Sequence, residues 1–391
     1  MITIVKNVEI YAPESLGLKQ VVLIGDKIEG IYDNITIPEN FVKINVIEGE
    51  GKYLFPGFID AHVHLLGGGG EGGFSTRTPE IQLSNIIVGG TTTVVGCLGT
   101  DSVCRDMKAL IAKAYALEEE GITTYVYTGS YEIPVKSVTE SIKSDIMLIN
   151  KIIGVGEVAL SDHRSSQPSY EEFLRLTSQA RVAGLLSGKA GIVHVHMGDG
   201  ERRLEFLYRM LEDTEIPIKQ IVPTHINRSI DLFKSGVEYA KRGGYLDLTT
   251  SSDPEHLEEN EVKASKALKM LLEEGIPIEQ IMFSSDGQGS LPRFDEKRQM
   301  VGLGIGEVRS LYREVKDAVQ KDGVKLETAL KTITSNVADA LKLSNKGRIG
   351  PGKDADLVLV NKEDLSIYTV IAKGKEVVFG DRVLVKGTFE N

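Results

Sequence analysis

The 391 residues are enough for a large core and probable division into two domains, and 41% hydrophobic with 26% charged residues is the balance of an ordinary globular protein. Lys plus Arg number 45 against 56 Asp plus Glu, and the net charge of −11 argues against nucleic acid or an anionic membrane as the main partner, while leaving a small charged substrate open. No apolar stretch approaches the ~20 residues that span a bilayer, the opening MITIVKNVEIYAPE lacks a signal peptide's basic start and apolar middle, and two cysteines, Cys97 and Cys104, make no disulfide scaffold, so a cytoplasmic location is expected.

In chain order, residues 2–13, 19–33 and 41–57 read as short strands, with Val, Ile and Tyr alternating with polar residues and Gly-Asp or Gly-Glu pairs between them. Residues 355–387 read the same way. Neither end has enough strands for a domain, so the two are expected to combine into one small antiparallel β-sandwich from residues 1–54 and 347–391. Between them, apolar β-type runs recur at 57–64, 91–98, 123–130, 152–160, 191–198, 220–227, 244–251 and 280–287, with helical patterns such as 170–189 and 261–275 intervening. Eight β-then-α units predict an α/β fold, a (β/α)8 TIM barrel over 55–346. The runs are rich in Val and Ile, as strands covered on both faces are. No glycine fingerprint follows the early strands, which counts against a dinucleotide fold.

Polar residues gather where these runs end, the rim on which a barrel builds its active site. The first run ends in DAHVH, and residues two apart on a strand share a face, so His62 and His64 can grip one metal ion. His196 ends the fifth run, His225 the sixth and Asp286 the eighth. His194 competes as the fifth-strand ligand but is expected one layer deeper; His163 and His256 fall in loops or helix starts and are read as surface or supporting groups. Imidazole and carboxylate donors suit Zn2+, with other divalent first-row ions open. Two such ions sharing a carboxylate lower the pKa of a bridging water towards ~7 and polarise a carbonyl, with Asp286 placed to pass a proton to a leaving amine. Glu157 stands in the apolar run IIGVGEVAL, where a carboxylate is costly to bury unless it is paired or binds metal.

The start PGFIDAHVH, the His residues of the fifth and sixth strands, the Asp of the eighth and the split β ends resemble the amidohydrolase superfamily. The blocks GGGGEGG, LGTDS, SDHRS, HMGD, PTHINR and SSDGQGS are similar to the branch of it that cleaves β-aspartyl (isoaspartyl) dipeptides. That resemblance implies a metallo-dipeptidase in which a metal-bridging hydroxide attacks the β-amide and Asp286 shuttles the proton. It implies that Glu71 holds the substrate's α-amino group, Thr100 meets the carboxylate of the aspartyl half, and Arg164 and Arg228 grip the carboxylate of the leaving residue. Tyr131 would stabilise the oxyanion, Ser290 would touch substrate, and the chain would form a large homo-oligomer such as an octamer.

The pattern departs at the fourth strand. The family places a carboxylated Lys seven residues before the Arg of SDHR, and here that position is Glu157. Charge is preserved but reach falls by about 3–4 Å. Gly154 and Gly156 are positioned to let the strand shift inward or bulge. Two outcomes stay open: Glu157 bridges both metals itself, or it contacts one and a water completes the bridge. A cyclic amide hydrolase of the dihydroorotase or hydantoinase type is the alternative enzyme, and a scaffold protein that lost its chemistry the non-enzymatic alternative.

Overall fold

The computed structural model describes residues 2–37, 42–252, 260–294 and 300–390; His256 lies outside them. Five strands open the chain: β1 (Ile2–Tyr11), β2 (Ser15–Ile24), β3 (Lys27–Tyr32), β4 (Ile44–Glu48) and β5 (Lys52–Pro56). Eight follow in the central region: β6 (Phe58–Val63), β7 (Thr91–Gly96), β8 (Thr123–Thr128), β9 (Ile152–Leu160), β10 (Ile192–Met197), β11 (Ile221–Thr224), β12 (Leu246–Thr249) and β13 (Ile281–Ser284). A hairpin, β14 (Ser290–Phe294) and β15 (Met300–Ile305), precedes the closing strands β16 (Leu357–Asn361), β17 (Ile367–Ala372), β18 (Lys375–Phe379) and β19 (Arg382–Val383).

The two chain ends share one sheet, ordered β19-β18-β17-β16-β5-β1-β2-β3 with β4 also beside β1. They meet where β5 and β16 run antiparallel, Leu54 opposite Leu359. Val5, Val8, Ile10, Leu54, Leu357 and Leu359 pack into one core there. The sheet is not wholly antiparallel, as the alternating pattern suggested: β4 and β5 both run parallel to β1. Parallel neighbours cannot be joined by a tight turn, so local alternation does not announce this placement.

Strands β6 to β11 form a parallel sheet in chain order, and β12 and β13 form a parallel pair. The pair continues the curl: the Ile226 N–H donates to Asp247 O at 3.3 Å, and the His64 N–H donates to Gly287 O at 2.8 Å, which brings the last strand beside the first. This is the TIM-barrel type of amphitheatre, parallel strands inside and helices outside. Ile59, Val95, Tyr127, Ile153, Ile192 and Val222 make an inner cluster. Their neighbours Phe58, Val94, Val126, Ile152, Val193 and Ile221 face the helices, the two-residue alternation of a strand buried on both sides. The helix Tyr170–Ser187 shows why the covering elements form. Ser169 caps its first turn in a reciprocal pair with Glu172, Gly188 ends it, and Phe173, Leu176, Ala180 and Ala183 supply one apolar stripe. Among the described residues no helix is long and apolar enough to cross a membrane.

Candidate metal centre and substrate cleft

The rim where β6, β9, β10, β11 and β13 end brings His62, His64, Glu157, His196, His225 and Asp286 together around a cleft of about 680 Å³. Glu157 is at the middle of the set. Its Oε2 lies 2.6 Å from His62 Nε2 and 3.6 Å from His225 Nε2, and its Oε1 lies 3.4 Å from His196 Nδ1. Asp286 Oδ1 stands 2.9 Å from His64 Nε2 and 3.4 Å from His62 Nε2. Among the described residues three potential ligand groups result: two at the rim that share Glu157, His62–His64–Cys97–Glu157 and Glu157–His196–His225, and a deeper one, His62–His194–Asp247.

Local backbone explains how a short carboxylate reaches this centre. Ladder register slips between β9 and β10, so that Val155 pairs with Val193 but Val158 with Val195, a bulge that contains Gly156 and Glu157. The bulge needs glycine: a Cβ at Gly156 would sit 2.8 Å from His194 Cβ, and one at Gly154 would sit 2.6 Å from Ile192 O. Of the two adjustments expected from the glycines, the bulge is present. His225 and Asp286 both take left-handed backbone, φ 61 and 52, just past their strands, the kind of local strain that collects at functional sites.

Each imidazole turns one nitrogen to the carboxylates and has the other held from behind. His62 Nδ1 is 3.0 Å from His194 Nε2, His196 Nε2 is 3.0 Å from Asp162 Oδ2, and His225 Nδ1 is 2.6 Å from Thr249 Oγ1. His64 Nδ1 faces the Cys97 thiol at 3.9 Å. Outer partners of this sort fix tautomer and ring orientation in metal sites. The inner atoms are the reverse: His62 Nε2, Glu157 Oε2 and Asp286 Oδ1 are buried with no hydrogen-bond partner among the described residues. Converging unpartnered donors of imidazole and carboxylate type fit divalent cations.

Electrostatics agree. Burial pushes the Glu157 carboxyl up, but His62 and His196 outweigh it and hold it well below the usual range. Burial likewise opposes ionisation of Asp286, and His62 and His64 bring it down. Burial, with Arg228 and His196 nearby, depresses His225 to about 3, which keeps its imidazole neutral and able to ligate. Deeper in the barrel, burial raises Asp60 to about 6 and Asp247 to about 7.

The cleft walls carry the remaining expected residues. Glu71 Oε1 accepts from Thr100 Oγ1 at 2.9 Å and from Arg164 Nη1 at 3.4 Å. Arg228 Nη1 donates to Met197 O at 3.1 Å and stands 3.1 Å from His196 Nε2. Tyr131 places its hydroxyl 2.8 Å from His196 Nδ1, and burial pushes its phenol well above the ordinary value. Ser290 lines the cleft, and His163 is exposed on its edge. His194 lies deeper, stacked on Tyr127 with ring centroids 5.1 Å apart.

Sequence reasoning missed three residues. Cys97 ends the second barrel run and could have been found by the strand-end rule that found the histidines. Asp162 precedes the quoted Arg by two residues but looked like turn chemistry. Arg105 carries no local signal. It is buried and donates to the carbonyls of Leu66, Gly68, Gly69 and Thr78 at 2.9–3.2 Å, clamping the base of the Gly-rich loop that bears Glu71.

A model of the amidohydrolase family matches residues 53–377, and the chain belongs to that family. More particularly, it resembles the beta-aspartyl dipeptidase of the thermophilic, keratin-degrading Fervidobacterium islandicum AW-1, solved in complex with a beta-Asp-Leu dipeptide. The two are 45% identical, with 98% of each chain covered and a TM-score of 0.90. A D-hydantoinase structure shares the fold at 17% identity and a TM-score of 0.69, covering 100% of this chain and 98% of its own. Adenine deaminase from Clostridium perfringens is 23% identical over 363 residues, 89% of this chain and 54% of that protein. The chain thus spans about half the length of the curated adenine deaminases it matches.

Proposed function

We propose that this chain is a metal-dependent dipeptidase that hydrolyses the β-amide of β-aspartyl dipeptides. One observation carries the reading: among the charged groups lining the cleft, which also include Asp199, Glu261, Glu307 and Arg313, the Glu71 carboxylate and the Arg164 and Arg228 guanidiniums form a linked set beside His196. That is the charge complement of a small substrate with one ammonium and free carboxylates. The similarity to a beta-aspartyl dipeptidase supports the same substrate class.

His62, His64, Glu157, His196, His225 and Asp286 would hold two divalent ions, Zn2+ being the natural candidate, with Glu157 common to both. Such ions, when bound, supply an activated water and polarise the scissile carbonyl. Glu71 and Thr100 orient the aspartyl half, and Arg164 and Arg228 take the leaving residue's carboxylate in charge-assisted contacts. Asp286 accepts the proton of the attacking water and returns it to the departing amide nitrogen. Tyr131 donates its hydroxyl to the developing oxyanion, with Ser290 a further substrate contact.

The architecture belonging to this reading is a closed (β/α)8 barrel over 55–346 and a small sandwich domain from 1–54 and 347–391. A large homo-oligomer, such as an octamer, is supported by Leu148, Leu185 and Leu186, which stand 60–73% exposed on two adjoining helices. A cytoplasmic location is in keeping with two free cysteines. Assay of the zinc-loaded protein on β-Asp-Leu and on dihydroorotate tests the reading. Turnover of the dipeptide alone is expected; turnover of dihydroorotate alone would move the assignment to the cyclic amide hydrolases.

A further inference from the structure

Asp162 touches both halves of the centre. It is 5% exposed. Its Oδ2 lies 3.0 Å from His196 Nε2 and accepts Arg164 Nη2 at 2.7 Å. Its Oδ1 accepts Arg164 Nε at 3.0 Å and the Arg164 backbone N–H at 2.7 Å, and Arg228 Nη1 stands 3.9 Å from Oδ2. The other edge of His196, Nδ1, faces Glu157 at 3.4 Å. The outer nitrogen of Arg164, Nη1, points to Glu71 at 3.4 Å.

We propose that Asp162 is a positioning residue that couples metal holding at His196 to recognition of the substrate's free carboxylate by Arg164. The metal half stands on the geometry alone, and the substrate half rests on the dipeptidase reading above. An imidazole that gives its Nε2–H to a carboxylate is locked with the Nδ1 lone pair outward and is a stronger ligand. The same carboxylate grips the Nε/Nη2 edge of Arg164 and turns Nη1, which faces Glu71 at 3.4 Å, towards the cleft where an incoming carboxylate would share it. A substrate carboxylate on Arg164 competes for the positive charge that holds Asp162, so the two events share one group. By linkage, binding of the substrate carboxylate changes metal affinity by the same factor as metal binding changes affinity for that carboxylate. A merely structural ion pair would affect stability and neither of these.

Asp162→Asn tests it. The amide keeps the shape but offers one oxygen and no charge, so it can serve His196 or Arg164 but not both. The first readout, made without substrate, is the rate at which the zinc-loaded protein releases metal to a chelator; release about 10–100-fold faster than wild type is expected. The second is the ratio of kcat/KM for β-Asp-Leu over its C-terminal amide, expected to fall by about tenfold from loss of a charge-assisted grip. A wild-type value for either readout overturns the coupling. Should that variant fail to fold, Arg164→Met leaves Asp162 in place and is expected to speed zinc release by about fivefold through lost clamping of the carboxylate. Release unchanged in Arg164→Met would equally overturn the coupling. A wild-type protein that binds zinc but leaves β-Asp-Leu intact defeats the dipeptidase reading, whereas the zinc-release arm still decides the metal half.

Discussion

Lys346 and Glu157 are both buried charges, and their surroundings differ in kind. Lys346 Nζ sits where the start of β8 meets the terminal sheet and donates to Thr123 Oγ1 at 2.7 Å, to Asp354 Oδ2 at 2.8 Å and to Asp356. Asp356 also accepts the Lys373 N–H at 2.8 Å, and Asp354 pairs with Lys27 at 2.5 Å. The network closes on itself. At the opposite end of the strands, Glu157 Oε2, His62 Nε2 and Asp286 Oδ1 crowd together, 2.6 and 3.4 Å apart about His62, with no hydrogen-bond geometry among the described residues. A buried charge that is fully partnered holds elements together, and removal of one partner leaves the rest stranded. Converging groups left without protein partners are arranged for something brought in from outside. The joint is therefore expected to govern stability and the mouth to govern chemistry.

The largest effect that sharpens this division is on rate. Asp286→Asn is expected to cut kcat/KM on β-Asp-Leu by about 10³-fold, the scale of a lost proton shuttle, while the melting temperature of the metal-stripped protein stays near wild type. A drop in melting temperature as large as that of a joint mutant would break the division. Lys346→Met is the converse. It strands Asp356 beside Asp354 and is expected to destabilise by about 3–5 kcal/mol in urea titration, with kcat/KM of the folded fraction near wild type. Loss of activity without loss of stability would place Lys346 in the chemistry after all.

Metal removal gives a middle-sized effect. A ligand that binds only the folded state stabilises by about 2.7 kcal/mol at 100 times its Kd, so added Zn2+ should raise the melting temperature of chelator-stripped protein. Glu157→Gln should lose most of that increment, because Glu157 belongs to both ligand groups at the rim. Retention of the full increment would show that the ions, or a single ion, need only the histidines. Glu157→Lys assayed with and without bicarbonate separates the same alternatives: rescue by bicarbonate would mean that the strand accepts the longer bridge despite its bulge.

How far these two regions were legible in sequence follows from the range of the interactions that make them. The mouth is written in short words: an HxH, single histidines and an aspartate at strand ends, and a glutamate between glycines in an apolar run. Strand periodicity brings such residues to one rim whatever the detailed packing. The direction of Asp162 towards His196 was hidden because it depends on how one loop folds back over the next strand. The joint was illegible for a stronger reason. Lys346 meets Thr123 across 223 positions, and Lys27 meets Asp354 across 327, in a sequence with 45 Lys plus Arg and 56 Asp plus Glu to choose from. The parallel placement of β4 and β5 beside β1 was hidden likewise, since parallel neighbours share no tight turn.

The smallest effect is on pH dependence, and it tests whether the joint is charged as drawn. Burial pushes the Asp354 carboxyl up, yet Lys346 and Lys27 outweigh it and hold it below 3.8. A lowered acid contributes stability that is complete above its unfolded value and is lost as pH falls through the folded one. Burial pushes Lys346 down, but Asp356 and Asp354 outweigh it and hold the ammonium above 10.5. A raised base contributes stability that is complete below its unfolded value and is lost as pH rises through the folded one. The gap in unfolding free energy between wild type and Lys346→Met should therefore be flat from about pH 5 to about pH 9 and narrow at both extremes. A gap that shrinks steadily across neutral pH would mean that Lys346 sheds its proton inside the fold, and the joint would then hold by hydrogen bonds and packing instead of by paired charge.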